Sequence, residues 1–432
     1  MPSSLEIETF LRTEKPHHLF EPAQESEFVW PEYKAHSIVN IAATIAKIFG
    51  KELPSVAPPL APVYWRGFES STRRIILVLL DALGYLQFLQ ALEEDPSCLW
   101  HNYIPKGRLF PMTSVCPSTT ATALASLTTG TEPIVHGLLG YQLWLREYGV
   151  LTEMLALKPV YGTGKETLLD WGLLPERFLP VPSIGTLLKR VGIHTTALIP
   201  ARHLRGGLTR ICYRGFQRVF GYNNENGLWS LTQYAITQEE NPLNFYFLYW
   251  GGIDSTIHSR GTEHGFWQAQ LRLITEACQR QFLEKLDPSQ REGTLFILCA
   301  DHGFIASPIE AAYDTEGNSP LARLLLIPYS GESRTAYLHG SLKHSKEFLK
   351  AVQECLEPHF IIKPTSELLR AGLWGFRKAM PEARSRLGDL VALARGKHYL
   401  DRQNLRFVLR GRHGGLAPEE MLVPWLIFRL DG

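Results

Sequence analysis

The chain runs 432 residues, long enough for one large domain with an insertion or for two or three smaller ones. Hydrophobic residues make up 45% of it, which excludes disorder as a global description, and 44 Lys+Arg against 43 Asp+Glu leave no charge excess to suggest a nucleic-acid or anionic-membrane surface. Its six cysteines (Cys98, Cys116, Cys212, Cys278, Cys299, Cys355) are scattered with no close pair, which points to reduced thiols in a cytoplasmic protein rather than a disulfide framework.

Residues 1–70 read as an N-terminal arm. The start, MPSSLEIETFLRTEKPHHLF, has no basic stretch followed by an apolar core, so no signal peptide is expected. SIVNIAATIAKIFG (37–50) has helical spacing and stops at Gly50, and LPSVAPPLAPVYW (53–65) is a Pro-rich connector. From residue 71 to 330, short β-type runs alternate with helical ones, the α/β pattern of a sheet with helices on both faces. The predicted core strands are IILVLL (75–80), TTALIP (195–200), NFYFLYW (244–250), TLFILC (294–299) and LARLLLIP (321–328), whose near-continuous apolarity suits burial on both faces. Residues 331–405 read as an inserted subdomain that mixes FIIKPT with helical KEFLKAVQECL and SELLRAGLWGF, followed by LGDLVALA, and 406–432 return to the core, through LRFVLRGRHGG and MLVPWLIF. No apolar run is long enough to span a bilayer, so no membrane partner is expected.

Several of these runs end in residues that ligate metals. IILVLLDALGY delivers Asp81, NFYFLYWGGIDSTIHSRG delivers Asp254 and His258, TLFILCADHGF delivers Asp301 and His302, and FVLRGRHGG delivers His413. Ligands of open α/β sheets bind off the carboxyl ends of strands, and Asp81 and Asp301 stand at such ends. Asp254 and His258 are four apart, which puts them on one face of a helical turn or in a compact loop. Each signal alone has an ordinary explanation, since an Asp after a strand commonly caps a helix and a lone His is commonly structural. With 15 histidines in the chain, the pattern rather than the count selects three. Between the first and second segments, CPSTTATALASLTTG offers Ser118, Thr119, Thr120 and Thr122 as nucleophiles. Three carboxylates, three imidazoles and a hydroxyl meet the needs of a two-metal hydrolytic site.

In their order along the chain these segments resemble the alkaline phosphatase superfamily, most closely its type I phosphodiesterase/nucleotide pyrophosphatase branch, over about residues 75–432. HGGLAPEEMLVP is also similar to the late segment of the metal-dependent phosphoglycerate mutases of that superfamily. The resemblance implies an α/β/α sandwich with a mostly parallel central sheet and two adjacent divalent metal ions, Zn²⁺ with Mn²⁺ as the alternative. One ion is then held by Asp254, His258 and His413, the other by Asp81, Asp301, His302 and the nucleophile's oxygen. In the superfamily the nucleophile stands nine positions before the Thr of a Thr-Gly pair; Thr129-Gly130 thereby assigns Thr120, and Pro117 matches the Pro of the phosphodiesterase branch. The implied activity is a metal-dependent phosphoric ester hydrolase, a phosphodiesterase or nucleotide pyrophosphatase that works through a phospho-threonine on a small-molecule phosphate ester. A phosphomonoesterase or phosphonate hydrolase on the same scaffold is the alternative, and a non-catalytic metal- or phosphate-ester-binding protein the distant one.

Two positions depart from the family pattern. Ile257 stands where the family has Gly before the metal His, and HGLLGYQ offers Tyr141 or Gln142 where the branch has an Asn that touches a phosphoryl oxygen. Tyr141 is therefore the candidate substrate contact. Two divalent ions against three carboxylates and one alkoxide leave the site about neutral, which suits a singly charged diester unless Arg260 or Arg412 turns inward. CPST and GTGKE (162–166) resemble a sulfatase motif and a phosphate-binding loop, but each lacks residues that those motifs require.

Overall fold

Runs without polar alternation belong in strands covered on both faces. In the computed structural model, which describes residues 2–162, 164, 166–340, 345–402 and 409–432, such runs build a seven-stranded sheet. Its order is 108–113, 422–429, 294–299, 74–80, 244–250, 194–200 and 218–222. Leu422–Arg429 runs against the other six. Ile75 to Leu80, Phe245 to Leu248 and Leu295 to Cys299 are all buried. Helices Ile184–Arg190 and Glu225–Thr237 pack against strand His194–Pro200. This is the mostly parallel α/β architecture that the sequence pattern implies.

Strand direction decides where the chemistry collects. A parallel strand presents its carboxyl end at the edge where an antiparallel neighbour presents its amino end. Asp81, Asp254 and Asp301 follow strands 74–80, 244–250 and 294–299, whereas His413 precedes strand 422–429. All four consequently reach one edge of the sheet. Leu422 pairs with Thr113 there, and the chain beyond Thr113 leads to Thr120 at the start of helix Thr120–Thr129.

A second seven-stranded sheet, antiparallel throughout, runs in the order 360–364, 390–394, 335–339, 327–331, 142–145, 150–153 and 158–159. The segment 331–405 thus shares its sheet with 142–159. The join is one register pair, Gly331 opposite Gln142. It depends on close backbone approach, because a Cβ on Gly140 would stand 2.8 Å from Gly331 Cα. The run 321–328, expected as a core strand, is not one: Ala322–Leu324 is a 3₁₀ turn, and Ile327–Gly331 belongs to this second sheet. Arg323 interrupts that run and Leu326 is 70% exposed, so its leucines never meet the central core. The stretch 405–408, read as part of the return to the core, and positions 163 and 165 of GTGKE lie outside the described residues.

The N-terminal segment packs on the core through buried side chains such as Ile7, Leu11, Phe28 and Tyr64. Ile41, Ile45 and Ile48 repeat at helical spacing, are buried on helix Ile41–Ile48, and give way at Gly50, whose φ of +68° suits glycine. Among the described residues no helix is long and apolar enough to cross a membrane.

A buried ion pair ties the second sheet to the site edge. Arg334 forks onto Glu420, Nε to Oε1 at 2.8 Å and Nη2 to Oε2 at 3.0 Å, and neither side chain is exposed. Arg334 also donates to the carbonyls of Gly396 and His398. Glu420 accepts from the backbone N–H groups of Gly415 and Ala417, and its own carbonyl accepts from Gly303 N–H. Glu420 therefore holds the loop after His413 through its carboxylate and the loop after His302 through its backbone carbonyl. Arg334→Met, which strands Glu420 in the interior, should cost about 3–5 kcal/mol. Urea unfolding measures it, and a loss under about 1 kcal/mol, the worth of an exposed pair, would show that the pair contributes little.

Candidate active site

The structure brings all six ligand-type residues into two adjoining groups, Asp81, Asp301 and His302 in one and Asp254, His258 and His413 in the other. Within each group the candidate ligand atoms lie within 4.8 Å of one another. The groups meet where the His302 and His413 rings stack, 3.9 Å between centroids.

The hydrogen bonds around the rings fix what their inner nitrogens can do. His258 Nδ1 lies 2.9 Å from the Gly411 carbonyl, His413 Nδ1 3.1 Å from that of Ser118, and His302 Nδ1 3.0 Å from that of Gly303. A carbonyl only accepts, so each Nδ1 carries a proton, and it is Nε2 that, once free of any second proton, turns a lone pair inward. His258 Nε2 and His413 Nε2 then face each other at 3.2 Å, with Asp254 Oδ1 3.2 Å and 3.6 Å away. In the other group His302 Nε2 stands 3.4 Å from Asp81 Oδ1 and 3.5 Å from Asp301 Oδ2. Those two oxygens are buried and have no hydrogen-bond partner among the described residues. Lone pairs that converge in this way, with their outer nitrogens committed, fit divalent cations.

Electrostatics tell the same story. Burial, then the carboxylates of Asp301 and Asp254, push the Asp81 carboxyl well above its usual range. Burial also raises Asp301, with His302 pulling the other way. At Asp254 burial acts upward, but the attraction of His258, His413 and His302 outweighs it and holds the group low. Burial, then His302 and His258, push His413 well below the usual histidine range. Without a cation the cluster is a set of buried groups in conflict.

Of the four hydroxyl candidates, Thr120 is the one whose oxygen meets this cluster, 3.1 Å from His302 Nε2. Ser118 is occupied, donating to the Gly415 carbonyl at 2.7 Å and accepting from Gly414 N–H. The Thr119 hydroxyl bonds Glu332, and Thr122 is buried with no partner among the described residues. Thr120 opens helix Thr120–Thr129 and Thr119 makes no side-chain cap, so the positive helix end is left to a ligand.

The departure at Ile257 has a local explanation. Its side chain is buried against Gly411, where a Cβ would come within 2.3 Å of Ile257 Cγ2. Bulk before the metal-type His is thus matched by a glycine on the facing segment, which keeps the Gly411 carbonyl within reach of His258. Tyr141 does line the site, but its backbone N–H donates to Glu332 Oε1 at 2.8 Å and its phenol donates to Glu153.

Two residues at the site carried no sequence signal. Tyr249 donates its hydroxyl to Asp81 Oδ2 at 2.5 Å. Tyr249 pairs with Leu79, two before Asp81, so both side chains point to one face, a relation visible only once strand register is known. Glu332 lies in the loop after Gly331, and burial pushes its carboxyl up to about 7. Thr120 and Asp254 line two cavities. One, of about 650 Å³, has walls from Leu124, Ile199, Arg202, Arg205 and Tyr213. The other, of about 280 Å³, is lined by Tyr141, Tyr329, Glu332, Arg412 and His413 among others.

The sequence model of the type I phosphodiesterase / nucleotide pyrophosphatase family matches residues 78–415. No curated protein sequence matches the chain. Among solved structures, murine ectonucleotide pyrophosphatase/phosphodiesterase 5 superposes with a TM-score of 0.60 at 16% identity, covering 83% of this chain and 89% of that one. The same murine protein has been solved as an inactive variant, one threonine changed to alanine, in complex with AMP (TM-score 0.59, 16% identity, 83% and 90% covered). Phosphonoacetate hydrolase from Sinorhizobium meliloti 1021, in complex with phosphonoformate, gives a TM-score of 0.58 at 16% identity over 82% of this chain and 89% of that one. At such identities the likeness is one of fold.

Adding Zn²⁺ or Mn²⁺ to chelator-stripped protein should raise its thermal midpoint, with stabilisation of about 2.7 kcal/mol at a hundred times the dissociation constant. His413→Ala should blunt the rise. A wild-type midpoint that ignores both metals would count against the assignment of these lone pairs to cations.

Proposed function

Because this chain belongs to the type I phosphodiesterase / nucleotide pyrophosphatase family, we propose that it is a two-metal phosphodiesterase or nucleotide pyrophosphatase whose nucleophile is Thr120. Membership makes it a phosphoester hydrolase by kind; the residue roles and the substrate preference are our reading. The observation that carries this reading is the meeting of His258 Nε2 and His413 Nε2 at 3.2 Å beside Asp254, with both outer nitrogens already bonded to carbonyls. Asp254, His258 and His413 would hold one ion, and Asp81, Asp301, His302 and the Thr120 oxygen the other. Nitrogen and oxygen ligands without thiolate suit Zn²⁺, with Mn²⁺ the alternative. Ions so held favour loss of the hydroxyl proton and stabilise charge on phosphoryl and leaving oxygens.

The chain's own residues do the rest. Thr120 gives up its proton and attacks phosphorus, a threonine O–P bond forms, and the P–O bond to the leaving group breaks. Water then cleaves the phospho-threonine and restores the Thr120 hydroxyl. Negative charge develops beside the open end of helix Thr120–Thr129, where N–H groups lack intrahelical acceptors. The Tyr249 hydroxyl orients Asp81, and the three carbonyls behind the imidazoles fix their tautomers. That a threonine-to-alanine variant of the murine relative is inactive supports a threonine in this role.

Thr120→Ala should lose aryl diester turnover by about three orders of magnitude or more, the scale of a lost nucleophile, while still taking up metal at Asp254, His258 and His413. Thr119→Ala, which alters the partner of Glu332, should be far milder. Turnover by each variant, read beside its metal content, decides; the reversed order would move the nucleophile by one residue.

A further inference from the structure

One buried guanidinium group lines the smaller cavity beside Thr120 and a second lies behind its wall, and hydrolysis of a simple diester uses neither. Arg412 directly precedes His413, is 6% exposed and lines this cavity. Its guanidinium lies 4.0 Å over the Tyr399 ring and bonds that residue's hydroxyl. Its ion pair to Asp401 is long, 3.4 Å, and its Nε is buried with no acceptor among the described residues. Arg402, 4% exposed, lies 4.2 Å over the ring of Tyr329, a residue of the cavity wall. It donates to Gln142 Oε1 and the Tyr329 carbonyl, and its Nε is likewise buried without an acceptor among the described residues.

The other charged groups at the cavity are already engaged. Glu332 accepts from Tyr141 N–H and the Thr119 hydroxyl, and Asp254, His258 and His413 face the metal-type centre. Asp401 is left to share the guanidinium charge. A buried arginine with unused donors is costly unless an acceptor arrives, and its planar fork matches carboxylate and phosphate oxygens. The volume, about 280 Å³, suits a compact group, whereas the 650 Å³ cavity, where Leu124 and Leu208 stand beside Arg202 and Arg205, has room for a larger one.

We propose that the cavity at Arg412 seats a second anionic group, a carboxylate or a phosphate, carried on the same small substrate as the reacting phosphoryl centre. Arg412 recognises that group, and Arg402 supports it across Tyr329. The inference rests on the reading of Thr120 as the reacting centre and narrows its substrate class to doubly anionic molecules.

The test compares three inhibitors of aryl diester hydrolysis by the Zn²⁺-loaded protein: propylphosphonate with one anionic centre, 3-phosphonopropionate with an added carboxylate, and ethane-1,2-bisphosphonate with an added phosphonate. At least one second anion should tighten inhibition about tenfold or more over propylphosphonate, the worth of a charge-assisted contact, and which one does so separates carboxylate from phosphate. In Arg412→Gln that ratio should collapse towards one, while the exposed Arg260→Gln keeps it. A wild-type ratio near one overturns the proposal whether or not the Arg412 variant folds. A ratio that survives in Arg412→Gln overturns it too, because the metal ions then read the second anion. If no aryl ester is turned over, the functional reading fails by itself, and calorimetric binding of the same three compounds still decides the subsite.

Discussion

Three carboxylates and three imidazoles are forced together at one edge of a sheet, and three of them, Asp81, Asp301 and His302, have almost no access to water. Asp81, Asp301 and His302 are fully or nearly fully buried, with His302 Nε2 facing a carboxylate oxygen of each acid at 3.4 and 3.5 Å. Removing charge from water costs several kcal/mol per ion even after relaxation. The fold holds such a cluster together against that cost, and on the proposed reading divalent cations would relieve it. The surrounding architecture follows from that need, with ligands on the ends of strands locked by a central sheet and outer nitrogens tied to backbone carbonyls.

The supports are graded by distance from the chemistry. Carbonyls of Ser118, Gly303 and Gly411 fix the rings, and Tyr249 fixes Asp81. Behind them Glu420 bonds the backbone of Gly415 and Gly303, and Arg334 neutralises Glu420 from the second sheet. The second sheet therefore does two things: it closes the cavity around Tyr141 and Glu332, and it anchors the loops that carry His302 and His413. Ile257 and Gly411 show how freely volume trades across such a contact while the hydrogen bond it protects stays in place.

Much of this was legible in sequence, for a physical reason. A ligand-type residue on a strand end announces itself because the apolar run before it is continuous, as with Asp81 and Asp301, and a helical i, i+4 pair such as Asp254 and His258 shares a face by geometry. Relations that depend on pairing left no trace. Tyr249 reaches Asp81 through strand register, and Glu332 reaches Thr119 through a join between segments nearly two hundred residues apart. The same blindness made 321–328 look like a core strand: its leucines are β-like in composition, but nothing local says which sheet a strand joins. Ser118 and Thr119 could not be separated from Thr120 by composition either; the structure engages the first two elsewhere.

The central claim is that two cations, not one, resolve the conflict at this sheet edge. Anomalous scattering from crystals of the Zn²⁺-soaked protein tests it directly. The account predicts two peaks roughly 4 Å apart, one among Asp254, His258 and His413 and one among Asp81, Asp301 and His302. A single peak, or zinc bound away from these six residues, would contradict it.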